Sequence, residues 1–121
     1  MNEPVPRKVC IYISEADDRN LLRPLMKHTY SANNRDLLSD LIPSGIGKET
    51  GLRDMCAHFG FSLSDTVAFG DGTNDSSMLR SAGIGIAMGI APQEVRDAAD
   101  YVTDTAENAG ITLALKHFEI L

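Results

Sequence analysis

The sequence predicts an α/β protein in which helices cover a parallel β-sheet, and three observations carry that prediction. From residue 48 onward, helical stripes alternate with short apolar runs in the order helix, strand, helix, strand, helix, strand, helix. Alternation of this kind marks a parallel sheet with crossover helices. The runs Thr66 to Phe69 and Ile84 to Met88 lack the in–out alternation of a half-wet sheet, as buried parallel strands do. Gly and Pro punctuate the pattern: Gly60 and Gly83 follow helical stripes, and Pro92 opens one.

Taken in order, Val9 to Ser14 is a strand by its β-branched content. Asp17 and Asp18 supply N-cap chemistry for a helix carrying Leu21, Leu22, Leu25 and Met26, with Pro24 disturbing its register. Leu37 to Ile42 reads as a second strand. The segment "PSGIG" at 43–47 is a loop where composition changes, so a boundary is expected near residue 43. Leu52, Met55, Cys56 and Phe59 then fall at i, i+3, i+4 and i+7, which predicts a buried helical face. Met78, Leu79 and Ala82 make the next stripe, Val95, Ala98 and Ala99 the following one, and Tyr101 to Thr103 a short strand. Ile111, Ala114, Leu115 and Phe118 form the last stripe.

The totals narrow the function. At 121 residues and 43% hydrophobic, the chain is long and apolar enough to bury a core. Its net charge of −6, with no run of Lys or Arg, argues against nucleic acid, whose phosphates need a basic footprint. No apolar stretch approaches the roughly 20 residues of a membrane span, and "MNEPVPRK" has no signal-peptide core. A cytoplasmic protein with no membrane partner is expected. Cys10 and Cys56 form no C-x-x-C pair and are expected to be reduced core residues. His28, His58 and His117 are widely spaced and read as surface or helix-end residues rather than ligands.

The chemistry concentrates in "GDGTND" at 70–75, directly after the apolar run Val67-Ala68-Phe69. Ligands of open α/β sheets bind beyond the carboxyl ends of the strands, and Asp71 is the first residue past such an end. Asp75 lies four positions on, where a following helix would start. Asp, Gly, Thr and Asn are all turn formers, so a turn with an Asp N-cap accounts for any two of these residues. A second carboxylate beside the first needs neutralising, and a hard divalent cation such as Mg²⁺ does so with oxygen ligands. A calcium EF-hand loop fails, because Ser76 replaces the required Gly and Ala82 stands at the bidentate Glu position.

Lys48 is the second anomaly, a cation opening a helix whose dipole favours anions. It is either a solvated lysine offset by Glu49 or a fixed positive charge aimed at a phosphate. Two imitators drop out. "GIGKET" lacks the leading Gly and the Ser/Thr of a Walker A loop, and "GIGIAMG" lies within a strand without the dinucleotide-binding spacing.

Taken together, Lys48, "GDGTND", "AGIGIAMGIA" at 82–91 and "AADYVT" at 98–103 stand in family order over residues 42–110 without a gap. The stretch resembles the C-terminal half of the Cof-type branch of the haloacid dehalogenase (HAD) superfamily. The resemblance implies a partial Rossmann-like core in residues 43–121, preceded in 1–42 by the tail of an α/β cap. It further implies a Mg²⁺-dependent phosphatase acting on sugar phosphates or other small phosphoesters through an aspartyl-phosphate. By resemblance, Asp71 binds Mg²⁺, and Asp75 holds a metal-bound water or orients the lysine. Asn74 hydrogen-bonds the phosphoryl group, and Lys48 offsets charge around the nucleophile.

The departure from the family is equally informative. Its nucleophile lies on an N-terminal strand in a D-x-D-G-T motif, which residues 1–121 do not contain; Asp17-Asp18 has the wrong spacing and no Gly-Thr. The expectation is half an enzyme, truncated or split and inactive alone; the alternative is a non-catalytic binding or regulatory module that keeps the fold. In the family the nucleophile strand pairs with the strand ending at Gly70. Its absence predicts an open apolar edge covered by a second copy (a homo-oligomer), by a complementary N-terminal fragment, or by rearranged residues 1–42. A small phosphorylated metabolite is the expected ligand of the completed site.

Overall fold

The structure, a computed structural model, describes residues 9–17, 20, 21, 23–35 and 38–121. It divides into two compact units, Met1–Gly47 and Lys48–Leu121, a little past the composition change at residue 43.

The first unit is a three-stranded antiparallel sheet of β1 (Val9–Tyr12), β2 (Thr29–Arg35) and β3 (Leu38–Pro43), in the order β1-β3-β2. Val9 faces Leu41 and Tyr12 faces Leu38 across β1 and β3. Thr29 faces Pro43 across β2 and β3, and the register shifts between Asn33 and Arg35. The first expected strand ends at Tyr12, short of Ser14. The helix expected after Asp17 is not continuous among the described residues. The described residues of this stretch are helical in short pieces: Glu15–Asp17, residues 20 and 21, and a 3-10 turn at Arg23–Leu25. Pro24 cannot supply the N–H that a regular helix needs in its interior; Asp18 and Leu22 lie outside the described residues.

Cys10 corrects a second expectation. It is exposed rather than core. Its register partner in β3 is Asp40, whose Oδ1 accepts a hydrogen bond from Cys10 Sγ at 3.0 Å. Asp40 is only 4% exposed, so the carboxylate, not the thiol, is the buried member of the pair. Cys56 is buried as expected.

The second unit is the predicted parallel sheet. β4 (Val67–Gly70), β5 (Ile84–Ala87) and β6 (Tyr101–Val102) lie side by side in chain order. Val67 pairs with Ile84, Gly70 with Ala87, and Ile86 with Tyr101. Helix α1 (Lys48–Phe59) precedes β4, α2 (Ser76–Ser81) and α3 (Gln93–Arg96) make the two crossovers, and α4 (Gly110–His117) follows β6. Helix α1 ends as its sequence demands. Gly60 takes φ +75°, a conformation costly for any side chain, and lets the Phe61 N–H reach Cys56 O at 2.9 Å. The core is small and aliphatic: Ala68, Leu79, Ala87, Ala91 and Val95 pack together, with Met78, Ala82 and Ala99 against them. On the far side, Tyr101 stacks on His117 with ring centroids 4.4 Å apart, tying β6 to the end of α4.

Two features depart from a closed core. The predicted face of α1 is only partly covered: Cys56 is buried and Leu52 half-buried, but Met55 and Phe59 are 56% and 60% exposed. The helix meets α2 and the loops beside β4, not the face of a wider sheet. The sheet order ends at β4, so among the described residues no strand pairs with its other edge. Among the described residues β1, β2 and β3 pair with one another in a sheet of their own.

Candidate active site

The acidic loop grows out of the carboxyl end of β4. After Gly70 the chain turns through Asp71 and Gly72 into a 3-10 turn, Thr73–Asp75, and then into α2. Asp75 occupies the N-cap position of α2, yet its side chain makes no cap hydrogen bond. It turns back instead. Oδ2 accepts from the N–H groups of Asp71 and Gly72, both at 3.0 Å, and Oδ1 pairs with Lys48 Nζ. Asp75 thus caps not α2 but the 3-10 turn before it, taking the N–H of Gly72 at that turn's N-cap, and with Asp71 N–H and Lys48 it braces the loop that precedes it.

Gly70 makes this possible. A Cβ there would lie 2.6 Å from the Cβ of Asp75, closer than side-chain atoms approach, so no other residue admits Asp75 under the loop. At Gly72 a Cβ would meet Asn74 Oδ1 at 2.8 Å, the tip of a side chain that folds over the same turn. Asp71, by contrast, is exposed at the strand end.

Asp75 is 2% exposed, and burial on its own would raise its pKa. The hydrogen bonds from Lys48 and from the Gly72 and Asp71 amides, with the charge of Lys48, act against burial and leave the pKa below its ordinary value. The carboxylate is thus held ionised. Lys48, at the first turn of α1, keeps about half of its side chain in solvent, 49% against 3% for Asp75. It is neither a freely solvated lysine nor a buried one: one end is fixed, and the rest faces water.

The loop beside it is built with the same care. The Met88 N–H, just past β5, donates to Gly70 O at 2.9 Å, and Gly89 N–H donates to Asp104 O at 3.2 Å. Arg96, which the sequence reading passed over, donates from Nε to Ala91 O at 2.8 Å and from Nη2 to Gly89 O. The signal for it was a basic residue in the last turn of a very short helix, four positions past Pro92.

Lys48, Asp71, Asn74 and Asp75 are therefore carried by one loop and the helix start paired with it. Among the described residues no three His, Cys, Asp or Glu side chains cluster as a metal site. The donors suit Mg²⁺ in kind, since that ion takes one or two carboxylates and completes its shell with water and phosphate oxygens. Asp71 is the accessible carboxylate that would hold it, because both oxygens of Asp75 are already engaged.

The family model described as haloacid dehalogenase-like hydrolase matches residues 4–115. The chain belongs to the haloacid dehalogenase-like hydrolases. Among solved structures, this HAD-like chain superposes on BT1666 of Bacteroides thetaiotaomicron, a phosphatase of the haloalkanoate (HAD) enzyme superfamily. The TM-score is 0.88 at 38% identity over 94% of this chain and 42% of that one. It superposes equally on the HAD subclass IIB sugar phosphatase BT4131, with TM-score 0.89 at 38% identity over 94% of this chain and 44% of that one. It is 39% identical over 74 residues to the 5-amino-6-(5-phospho-D-ribitylamino)uracil phosphatase YcsE of Bacillus subtilis, 61% of this chain and 30% of that one. The HAD-like chain thus spans less than half the length of each. The expected family and the α/β architecture with a helix-flanked parallel sheet both stand.

Proposed function

We propose that this chain carries the lysine and acidic-loop half of a Mg²⁺-dependent phosphomonoesterase for a small phosphorylated metabolite. One observation supports the reading above the others: a buried, ionised Asp75 pins Lys48 at one end of the loop that leaves Asp71 exposed at a strand end. A solvated turn has no use for that arrangement. A phosphate site does, since a fixed positive charge beside a cation-holding carboxylate suits an incoming dianion.

In this reading Asp71 holds the cation and Asn74 hydrogen-bonds a phosphoryl oxygen. Lys48 offsets negative charge around the attacking group, and Asp75 keeps the lysine extended toward it rather than adrift in solvent. Mg²⁺, when bound, supplies charge that draws on the phosphoryl oxygens. The residues 43–121 then act as the second half of a HAD core and residues 1–42 as the tail of a cap. Phosphatase relatives support the reaction class, and the sugar phosphatase BT4131 supports a sugar phosphate or similar small ester. The attacking aspartate belongs to the D-x-D-G-T motif, absent from residues 1–121.

Complementation tests the proposal. The chain is mixed with the part of BT4131 outside the matched region, which by family resemblance carries D-x-D-G-T, and p-nitrophenyl phosphate hydrolysis is followed with Mg²⁺. Activity is expected only in the mixture and is expected to disappear with Asp71→Ala. A well-formed complex that stays inactive would favour the non-catalytic module instead.

A further inference from the structure

We infer that Arg96 is a positioning residue for the acidic loop, acting through the backbone of the segment that follows β5. Its guanidinium holds two carbonyls of that segment at once, Ala91 O at 2.8 Å from Nε and Gly89 O from Nη2. Few single side chains can do this; a planar fork with donors in fixed directions is what two nearby carbonyls require. The segment so held is the one whose Met88 N–H bonds Gly70 O at 2.9 Å, and Gly70 is the residue immediately before Asp71. Arg96 also belongs to α3, which packs against the 3-10 turn Thr73–Asp75 and buries Val95 completely in the core.

The acidic loop is consequently supported from two sides. Lys48 reaches it from the start of α1 and grips Asp75. Arg96 reaches it from α3 and fixes the neighbouring strand end on which Gly70 leans. Only the first is a charge pair. The second carries no charge partner in this contact, because both acceptors are neutral carbonyls, so its effect on the loop is mechanical. Two backbone bonds already hold the same segment, Gly89 N–H to Asp104 O at 3.2 Å and Ala91 N–H to Met88 O at 2.9 Å, and the carbonyls of Gly89 and Ala91 are the further points that a side chain takes. Arg96 closes both.

The consequence for ligand binding rests on the reading of Asp71 as the cation-holding carboxylate. Residues that orient a ligand from behind typically change metal affinity by about 10–100-fold when removed. The test uses the full 121-residue chain with Mn²⁺ as a spectroscopic stand-in for Mg²⁺, and amide hydrogen exchange by NMR on the same samples. In Arg96→Ala, the Met88, Asp71 and Gly72 amides are expected to exchange faster, and the Mn²⁺ dissociation constant to rise about tenfold, the lower end of the range for such support. Arg96→Lys, which can hold one carbonyl but not two, is expected to fall between Ala and wild type and guards against an Ala variant that fails to fold. Unchanged Mn²⁺ affinity, with faster exchange confined to residues 89–91, would overturn the inference while leaving the cation site intact. If wild-type chain and Asp71→Ala bind Mn²⁺ equally poorly, the cation reading falls, and protection of Asp71 and Gly72 alone decides whether Arg96 positions the loop.

Discussion

Lys48 and Asp75 form a pair whose energetics differ at its two ends. The carboxylate is buried and the ammonium half in water. A charge-assisted hydrogen bond to such a carboxylate contributes about 1.5–3 kcal/mol, and exposure of the lysine reduces this, so Lys48→Ala should cost about 1 kcal/mol at pH 7. The pH dependence follows from the depressed pKa of Asp75. Its ordinary value is 3.8 and its folded value lies below that, so the stabilisation is complete above 3.8 and is lost as pH falls through the folded value. Removing Lys48 leaves burial opposed only by the two loop amides, which moves the folded pKa upward and brings acid unfolding on at higher pH. Urea midpoints measured from neutral pH down to about 3 should show the wild-type advantage at neutrality shrinking in acid. A constant difference at every pH would mean that the stem of Lys48, not its charge, does the stabilising. Asp71 and Asp75 were legible as acidic residues crowded at the end of an apolar run, whereas Lys48 and Asn74 joined them through the family resemblance. The direction in which Asp75 turns was not legible. It depends on Gly70 lacking a Cβ and on a lysine 27 positions earlier, neither of which local pattern reports.

Among elements, legibility tracked the strength of the periodicity and the company each element keeps. β4, β5, α1 and α4 were readable because their apolar spacing is unambiguous. β2 was not: "TYSANNR" has one aromatic and no apolar alternation, and it becomes a strand by pairing along β3. The helix expected after Asp17 is present only as short helical pieces among the described residues, and Pro24 lies in the last of them, where a regular helix would need its missing N–H. Helix α1 is the most instructive case. The stripe Leu52, Met55, Cys56, Phe59 has the right period, but a stripe is buried only where something lies against it. In residues 48–121 the partners reach Cys56 and stop. Truncations should therefore separate sharply. Leu79→Ala, at a fully buried position, should destabilise by about 2–5 kcal/mol, and Leu52→Ala by less than about 2 kcal/mol, since Leu52 is only partly buried. Chemical denaturation of the two variants checks this. Equal losses would mean that α1 is covered by a surface contributed from outside this unit.

At the scale of the molecule, the same partial cover recurs at the sheet. β4 is apolar on both faces and, among the described residues, ends the strand order; in α1, Met55 and Phe59, with Phe61 just beyond, leave more than half of their surface in water. A strand with one open edge is a template for another chain, and natural proteins cover such edges or blunt them with charge and Pro. Val67-Ala68-Phe69-Gly70 has neither. The net charge of −6 opposes loose aggregation, but none of its acidic residues lies within Val67–Gly70 itself. We therefore propose that the edge is occupied in solution, preferentially by an extended segment of the kind that carries D-x-D-G-T, and otherwise by a second copy of the chain. Light scattering across a dilution series should give a mass above the 13.1 kDa of one chain at micromolar concentration. Adding the unmatched part of BT4131 should convert that species to a one-to-one complex, because a parallel neighbour completes the ladder on β4 and displaces a second copy from the same edge. A chain that stays at 13.1 kDa with and without the fragment would mean that this edge needs no partner, and the idea of a core completed in trans would go with it.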